Sequence, residues 1–275
     1  MKVIYKPHLN GYDQTMSKAK KLVQKSIYLV PNFFTSLTLF FGFLSLANSQ
    51  TGSIYIAAIC IYVAMITDLM DGLIARLTNT QTVFGQEYDS LADMLAFGVA
   101  PASLVWHYAL RVSPTDSLLW LMTFLYVMAI TARLARFNAM QQYADTQYFR
   151  GLPSPAAGGF VCSVVIFCHR YSPEYTVTLF LNILLLLTSI CVVSNMCYPS
   201  LKNNDFIQRR PILISLLLST CLLLSVADPL VVLVTLFSTY VLAGPVVSFF
   251  RVYFRFSLKK MAIARWGKVL NHLRR

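Results

Sequence analysis

"DLMDGLIARLTNTQTVFGQEYDSLAD", residues 68–93, places four aspartates, two glycines and an arginine within 26 residues. It lies where one apolar run ends and the next begins. The preceding run, "YVAMITDLMDGLIARL" (62–77), is otherwise almost free of charge. An ionised carboxylate near mid-bilayer costs about 2.5–3.5 kcal/mol on insertion scales. A partner must therefore offset the desolvation of these acids, and an ionisable group inside a membrane segment reads as functional.

The rest of the chain supports the membrane setting. Of the 275 residues, 57% are hydrophobic and only 12% charged, and mean hydropathy is +0.60. A soluble domain carries about 25% charged residues. Apolar stretches near 20 residues long stand at 27–47, 52–75, 90–110, 117–138, 155–171, 175–197, 212–227 and 229–250, which predicts an all-α, polytopic transmembrane helix bundle of about eight spans. With the N-terminus in the cytoplasm, every Lys and Arg except Arg111 and Arg170 falls on the inner side. Both termini are then expected inside. The segment "SKAKKLVQKSIYLV" (17–30) interleaves lysines with apolar residues and leads directly into the first span, the pattern of an amphipathic interfacial helix.

The formal net charge of +12 does not indicate nucleic acid, because the basic residues sit in short clusters between apolar runs. That distribution fits anionic lipid headgroups. The six cysteines lie in or beside apolar runs with no C-x-x-C pair and no clustered histidines. They read as small buried hydrophobes, with neither a disulfide framework nor a zinc site.

On this topology Asp68 and Asp71 close the second span, and Asp89 and Asp93 open the third, at the cytoplasmic side. Residues three or four apart share a helix face, so each pair points one way and four carboxylates can converge. The nearby Arg76 supplies one positive charge against four negative ones. Divalent cations supply more, and an oxygen-only ligand set favours magnesium, manganese or calcium over zinc. Two such ions about 4 Å apart are a common device for holding a phosphate ester. Gly72, Ala75 and Gly85 leave room for a ligand to approach the backbone. Glu87 sits in the polar connection and is assigned no role.

These residues carry a resemblance to the CDP-alcohol phosphotransferases, whose signature is D-x2-D-G-x2-A-R-x8-G-x3-D-x3-D. Asp68, Asp71, Gly72, Ala75, Arg76, Gly85, Asp89 and Asp93 satisfy all of its fixed positions. At about 5% per residue type, chance agreement in a chain this long is on the order of 10⁻⁸. Four further stretches resemble the serine-using branch of the family: "VPNFFTSLTLFFGF" (30–43), "DSLADMLAFGVAPA" (89–102), "ARLARFN" (132–138) and "GLPSPAAGG" (151–159). Glycerophosphate-using relatives tend to have proline and lysine where Ser90 and Met94 stand here.

The resemblance implies transfer of a phosphatidyl group from CDP-diacylglycerol to the hydroxyl of L-serine, releasing CMP. It implies Asp68, Asp71 and Asp89 as ligands of divalent metal, Mg²⁺ or Mn²⁺ and two ions, with Asp93 as general base and a further metal contact. Arg76 would bind phosphate oxygens with its planar fork. Asn32 and Thr35, on one helix face, resemble the family's nucleotide-contacting P-N-x-x-T, and Gly72, Ala75 and Gly85 line the same pocket. Arg133, Arg136, Asn138 and Arg150 are candidates for the serine carboxylate. The implied organisation is a cytoplasmic segment with the interfacial helix (1–26), a six-span catalytic core (27–197), two additional spans (198–250) and a basic cytoplasmic tail (251–275). A homodimer in a bacterial inner membrane is expected, surrounded by membrane lipids, with the active site facing the cytoplasm. Other readings are a different acceptor, such as glycerol 3-phosphate, inositol phosphate or choline, and a divalent-cation transporter using the acids as a pathway.

Overall fold

A computed structural model of the chain describes residues 11–78, 80, 82–112, 118–140, 148–171, 176–199 and 228–249. It is helical apart from one short two-stranded ribbon. Helix α1 runs Gly11–Thr51 and α2 Ile54–Leu77. Helix α3, Val83–Asp93, continues through a π-helical turn, Met94–Val99, into α4, Ala100–Val112. Then follow α5 (Leu119–Met140), strand β1 (Tyr148–Arg150), α6 (Ser154–Tyr171), α7 (Thr176–Val193) and strand β2 (Cys197–Pro199). A last described helix, α8, spans Pro229–Phe249.

Among the described residues, four helical stretches are long and apolar enough to cross a membrane: Val30–Thr51, Ile54–Leu77, Leu119–Met140 and Pro229–Phe249. The expected third span falls on α3, the π turn and α4, and the expected fifth and sixth fall on α6 and α7. The expected seventh, 212–227, lies outside the described residues, as do 1–10 and the tail from 250. Helix α1 has 41 residues, about 60 Å at 1.5 Å per residue. That is twice the hydrocarbon thickness, so only its C-terminal half spans. The basic stretch expected to lie at the interface belongs to the same continuous helix.

Helix α1 packs most extensively on α2, and its sequence explains why. Pro31, Thr35, Thr38, Gly42, Ser45 and Ser49 are buried, whereas Phe33, Ser36, Phe40, Phe43, Ala47 and Gln50 are exposed. Small residues at every third or fourth position make a seam along which helix backbones approach closely. At Gly42 a Cβ would stand 2.9 Å from the Cα of Ala96 in the π turn, so only glycine fits. The phenylalanines of the opposite face are left for lipid. Across the seam, the hydroxyls of Thr38 and Thr67 share a 2.7 Å hydrogen bond.

The buried face of α2, Ile54, Ala57, Ala58, Ile61, Ala64 and Thr67, ends on Asp71, while Tyr55, Ile59, Ile66, Leu69 and Leu73 face outward. In a soluble protein so large an exposed apolar surface would be a liability; here it is the lipid-facing surface. The centre of the bundle is filled by Tyr126, Phe97, Ile61, Leu104 and Ile130, all fully buried.

The ribbon ties the start of α6 to the end of α7. Its antiparallel register pairs Phe149 with Tyr198 and Arg150 with Cys197. Gly151 follows at φ +83°, and a Cβ there would collide with the Val192 carbonyl. Its own N–H donates to the Met196 carbonyl at 2.8 Å. Both the left-handed backbone and the close approach require glycine. This clip sets the position at which α6 begins, and hence the place of Ser154.

Candidate active site

The four signature aspartates come together at one end of the bundle. Asp68, Asp71 and Asp89 each present a carboxylate oxygen within 4.8 Å of the others. Asp93 lies one turn further along the helix that carries Asp89, and its carboxyl group stands beside that of Asp68. Asp71 and Asp93 are buried and Asp68 and Asp89 are half-buried. Helical period is what aligns them: Asp68 and Asp71 sit on the last turns of α2, and Asp89 and Asp93 close α3.

Neighbouring helices hold two of these carboxylates from outside. Thr35 Oγ1 of α1 donates to Asp71 Oδ2 at 2.6 Å. Ser154 Oγ, in the first turn of α6, donates to Asp93 Oδ2 at 3.3 Å, and Arg133 Nη1 of α5 donates to Ser154 Oγ at 3.2 Å. The other oxygens are left over. Among the described residues, Asp89 Oδ1, Asp93 Oδ1 and Arg133 Nε are buried without a hydrogen-bond partner.

Unpartnered buried carboxylate oxygens carry a full desolvation penalty, which a bound cation would offset. The donor set is all hard oxygen, with no histidine or thiolate in the cluster. It therefore fits a divalent cation of the magnesium or manganese kind.

The small residues divide into two kinds. Among the described residues, a Cβ added to Gly72 would meet nothing closer than Arg76 Nη2, at 4.0 Å, so these residues leave space open beside the first aspartate pair. At Gly85 a Cβ would stand 3.1 Å from Thr82 Oγ1 and 3.4 Å from Asn32 Oδ1. There the space is already occupied, and Asn32 is brought against the start of α3. Thr82 caps α3 by accepting the Gly85 N–H at 3.0 Å. Ala75 is half-buried and Arg76 exposed at the end of α2, within reach of the gap above Gly72.

The candidates for the serine carboxylate separate. Arg133 is buried beside Asp93. Arg136 Nη1 donates to the Val193 carbonyl at 2.9 Å and to Asn195 Oδ1 at 3.2 Å, closing the end of α7. Asn138 and Ser90 hydrogen-bond reciprocally at 3.0 and 3.2 Å, and the Asn138 amide also donates to Glu87 at 3.2 Å. Arg150 lies in β1, opposite Cys197.

Ser154 was not singled out by sequence reasoning. Its only signal is its place between Pro153 and Pro155 at a helix start, where a polar side chain is ordinarily taken for a cap. The partnership of Thr35 with Asp71 joins residues 36 positions apart, beyond any local pattern.

The chain is similar in sequence to known proteins. The chain is 36% identical over 199 residues to the CDP-diacylglycerol--serine O-phosphatidyltransferase of Helicobacter pylori, covering 70% of this chain and 81% of that protein. Proteins of the same name from Methanocaldococcus jannaschii and Bacillus subtilis are 30% identical over 184 residues and 34% identical over 144 residues. These alignments cover 66% and 52% of this chain, and 80% and 77% of the relatives. A family model described as CDP-alcohol phosphatidyltransferase matches residues 28–194. That stretch takes in α1 from its membrane half through α7, and with them all four aspartates and the residues that hold them. The chain belongs to the CDP-alcohol phosphatidyltransferase family.

Proposed function

We propose that this membrane enzyme transfers the phosphatidyl group of CDP-diacylglycerol to the hydroxyl of L-serine, releasing CMP. The observation that carries the reading is the meeting of four signature carboxylates in an oxygen-only cluster with buried oxygens left over among the described residues. The shared name of the relatives supports serine as the acceptor.

Asp68, Asp71 and Asp89 would hold the divalent metal, Mg²⁺ or Mn²⁺, with Asp93 at its margin. When bound, it supplies positive charge against pyrophosphate oxygens and the departing CMP. The chain's own residues do the rest. Thr35 fixes the rotamer of Asp71 through its 2.6 Å hydrogen bond. Arg76, exposed above the open side of Gly72, binds phosphate with a planar, bidentate fork. Asn32, Ala75 and Gly85 complete the wall along which the nucleotide lies, and the acyl chains remain in lipid.

Asp93 serves as general base. One oxygen accepts from Ser154, so the other is free to take the proton of the serine hydroxyl as that oxygen attacks phosphorus. The P–O bond to CMP breaks as the new P–O bond to serine forms. Arg133, linked to Asp93 through Ser154, has its Nε unpartnered and is the cation best placed for the substrate carboxylate. Asn138 and Arg150 flank this side of the bundle.

The remaining organisation belongs to the same reading: eight spans, a basic interfacial helix ahead of the first, both termini and the site cytoplasmic in a bacterial inner membrane, and a homodimer. Arg133 is the one buried arginine near the aspartates among the described residues, and a phosphorylated acceptor would call for several cations. The test offers purified protein CDP-diacylglycerol with labelled serine, glycerol 3-phosphate, inositol phosphate or choline, with Mg²⁺ or Mn²⁺. Serine-dependent CMP release with phosphatidylserine as product is expected. Turnover with another acceptor and none with serine would overturn the assignment.

A further inference from the structure

Directly after Asp93 the helix departs from α geometry, and the sequence supplies the cause. In "DMLAFGVAPA" (93–102) a proline stands at 101. Proline has no N–H, so the carbonyl four residues earlier, that of Phe97, loses its α-helical donor, and the ring also crowds that carbonyl. The helix responds by widening. Met94–Val99 form a π turn, and the Ala100 N–H bonds to the Leu95 carbonyl, five residues back. A donor from another helix then fills the vacancy that Pro101 creates: Tyr126 Oη of α5 donates to the Phe97 carbonyl at 2.8 Å. Tyr126 is fully buried.

The turn is clamped on its other sides as well. A Cβ on Gly98 would stand 3.3 Å from Ile130 of α5, and one on Gly158 of α6 would stand 3.2 Å from the Cα of Phe97. Gly42 of α1 rests against Ala96.

A π turn accommodates one residue more than an α turn, so it re-phases the helix before it against the helix after it by about 100°. That re-phasing lets Ala100, Leu104 and Tyr108 face the core while Asp89 and Asp93 face the aspartate cluster. We infer that Tyr126 is a positioning residue for this site: by holding the Phe97 carbonyl it fixes the π turn, and through it the direction of Asp93. The inference rests on the proposed role of the aspartates and adds a residue that lies outside the family signature and does not itself touch the cluster.

The test compares Tyr126→Phe with Tyr108→Phe and Asp93→Asn in the full-length protein. Tyr108 is a matched control, a buried tyrosine whose hydroxyl has no partner among the described residues. Tyr126→Phe should lower kcat about ten- to hundredfold, as small misplacements of a reacting group do. KM for serine and for CDP-diacylglycerol should stay within about twofold. It should also alter the electron paramagnetic resonance spectrum of Mn²⁺ bound to the protein, read without substrates. Tyr108→Phe should change neither.

Full kcat in Tyr126→Phe would overturn the inference. So would a loss of kcat with an unaltered Mn²⁺ spectrum and KM values rising in step, the mark of a merely structural role. If Tyr126→Phe does not yield folded protein, Pro101→Ala probes the same turn from within, by giving the Phe97 carbonyl a helical donor. The same split of kcat from KM is expected there, and wild-type kcat would contradict the inference. Turnover retained by Asp93→Asn would instead remove the aspartate reading itself, so the two failures are distinguishable.

Discussion

Arg133 and Arg136 lie one turn apart on α5, yet they meet different chemistry. Arg133 points to Ser154 and Asp93, and Arg136 to the carbonyls that end α7. Hydrogen bonds to charged groups contribute about 1.5–3 kcal/mol each, roughly ten- to hundredfold in an equilibrium or rate. Arg133→Gln should therefore lower kcat/KM for serine by about that factor with little change in thermal stability. Arg136→Gln should do the reverse. Loss of a helix C-terminal cap worth about 1 kcal/mol lowers Tm by about 2–4 °C, with serine KM unchanged. Steady-state kinetics beside a thermal melt separates the two; a serine KM raised more by Arg136→Gln than by Arg133→Gln would reverse the assignment. The sequence makes both arginines candidates because both stand at a cytoplasmic span end. It cannot tell them apart, since each partner lies on another helix.

The helices use glycine in two opposed ways. Gly42 is where protein fills the space and Gly72 is where protein leaves it open. Gly42→Val forces a side chain against the Ala96 backbone at the π turn, an overpacking that costs about 1–3 kcal/mol, and a lower Tm with reduced activity is expected. Gly72→Ala meets no close neighbour among the described residues and exchanges glycine for the best helix former, a gain of about 1 kcal/mol in propensity. Its Tm should hold or rise while KM for CDP-diacylglycerol increases. A Gly72→Ala enzyme with wild-type KM would show that no ligand uses that space.

The helix pattern was legible because apolar runs and charge asymmetry are written locally, and the aspartates were legible because helical period sets their faces. The π turn was not, although its cause, Pro101, stands in the sequence. Knowing that the freed carbonyl finds Tyr126 requires the packing of α5 against α4. The ribbon from Tyr148 to Pro199 escaped for a related reason: three-residue strands have no period, and their partners lie 47 to 51 positions away.

At the scale of the whole molecule, the chain places a site made of carboxylates at the end of an apolar bundle. Its lipid face carries Phe33, Phe40, Phe43, Ile66 and Leu69, and its small-residue seam draws α1 against α2 and the π turn. The bundle brings together helices from residue 35 to residue 154 so that the Thr35–Asp71 and Ser154–Asp93 hydrogen-bonded pairs meet Asp68 and Asp89 in one carboxylate cluster. That convergence has one purpose in this account, to hold a divalent cation against a pyrophosphate. Mn²⁺ titration of the full-length protein in lipid nanodiscs, read by electron paramagnetic resonance without substrates, tests it most directly. Wild type should bind Mn²⁺ at the site, and Asp68→Asn, Asp71→Asn or Asp89→Asn should each weaken binding by about tenfold or more while the protein stays folded. A folded variant with all three substitutions that binds Mn²⁺ as tightly as wild type would contradict the account.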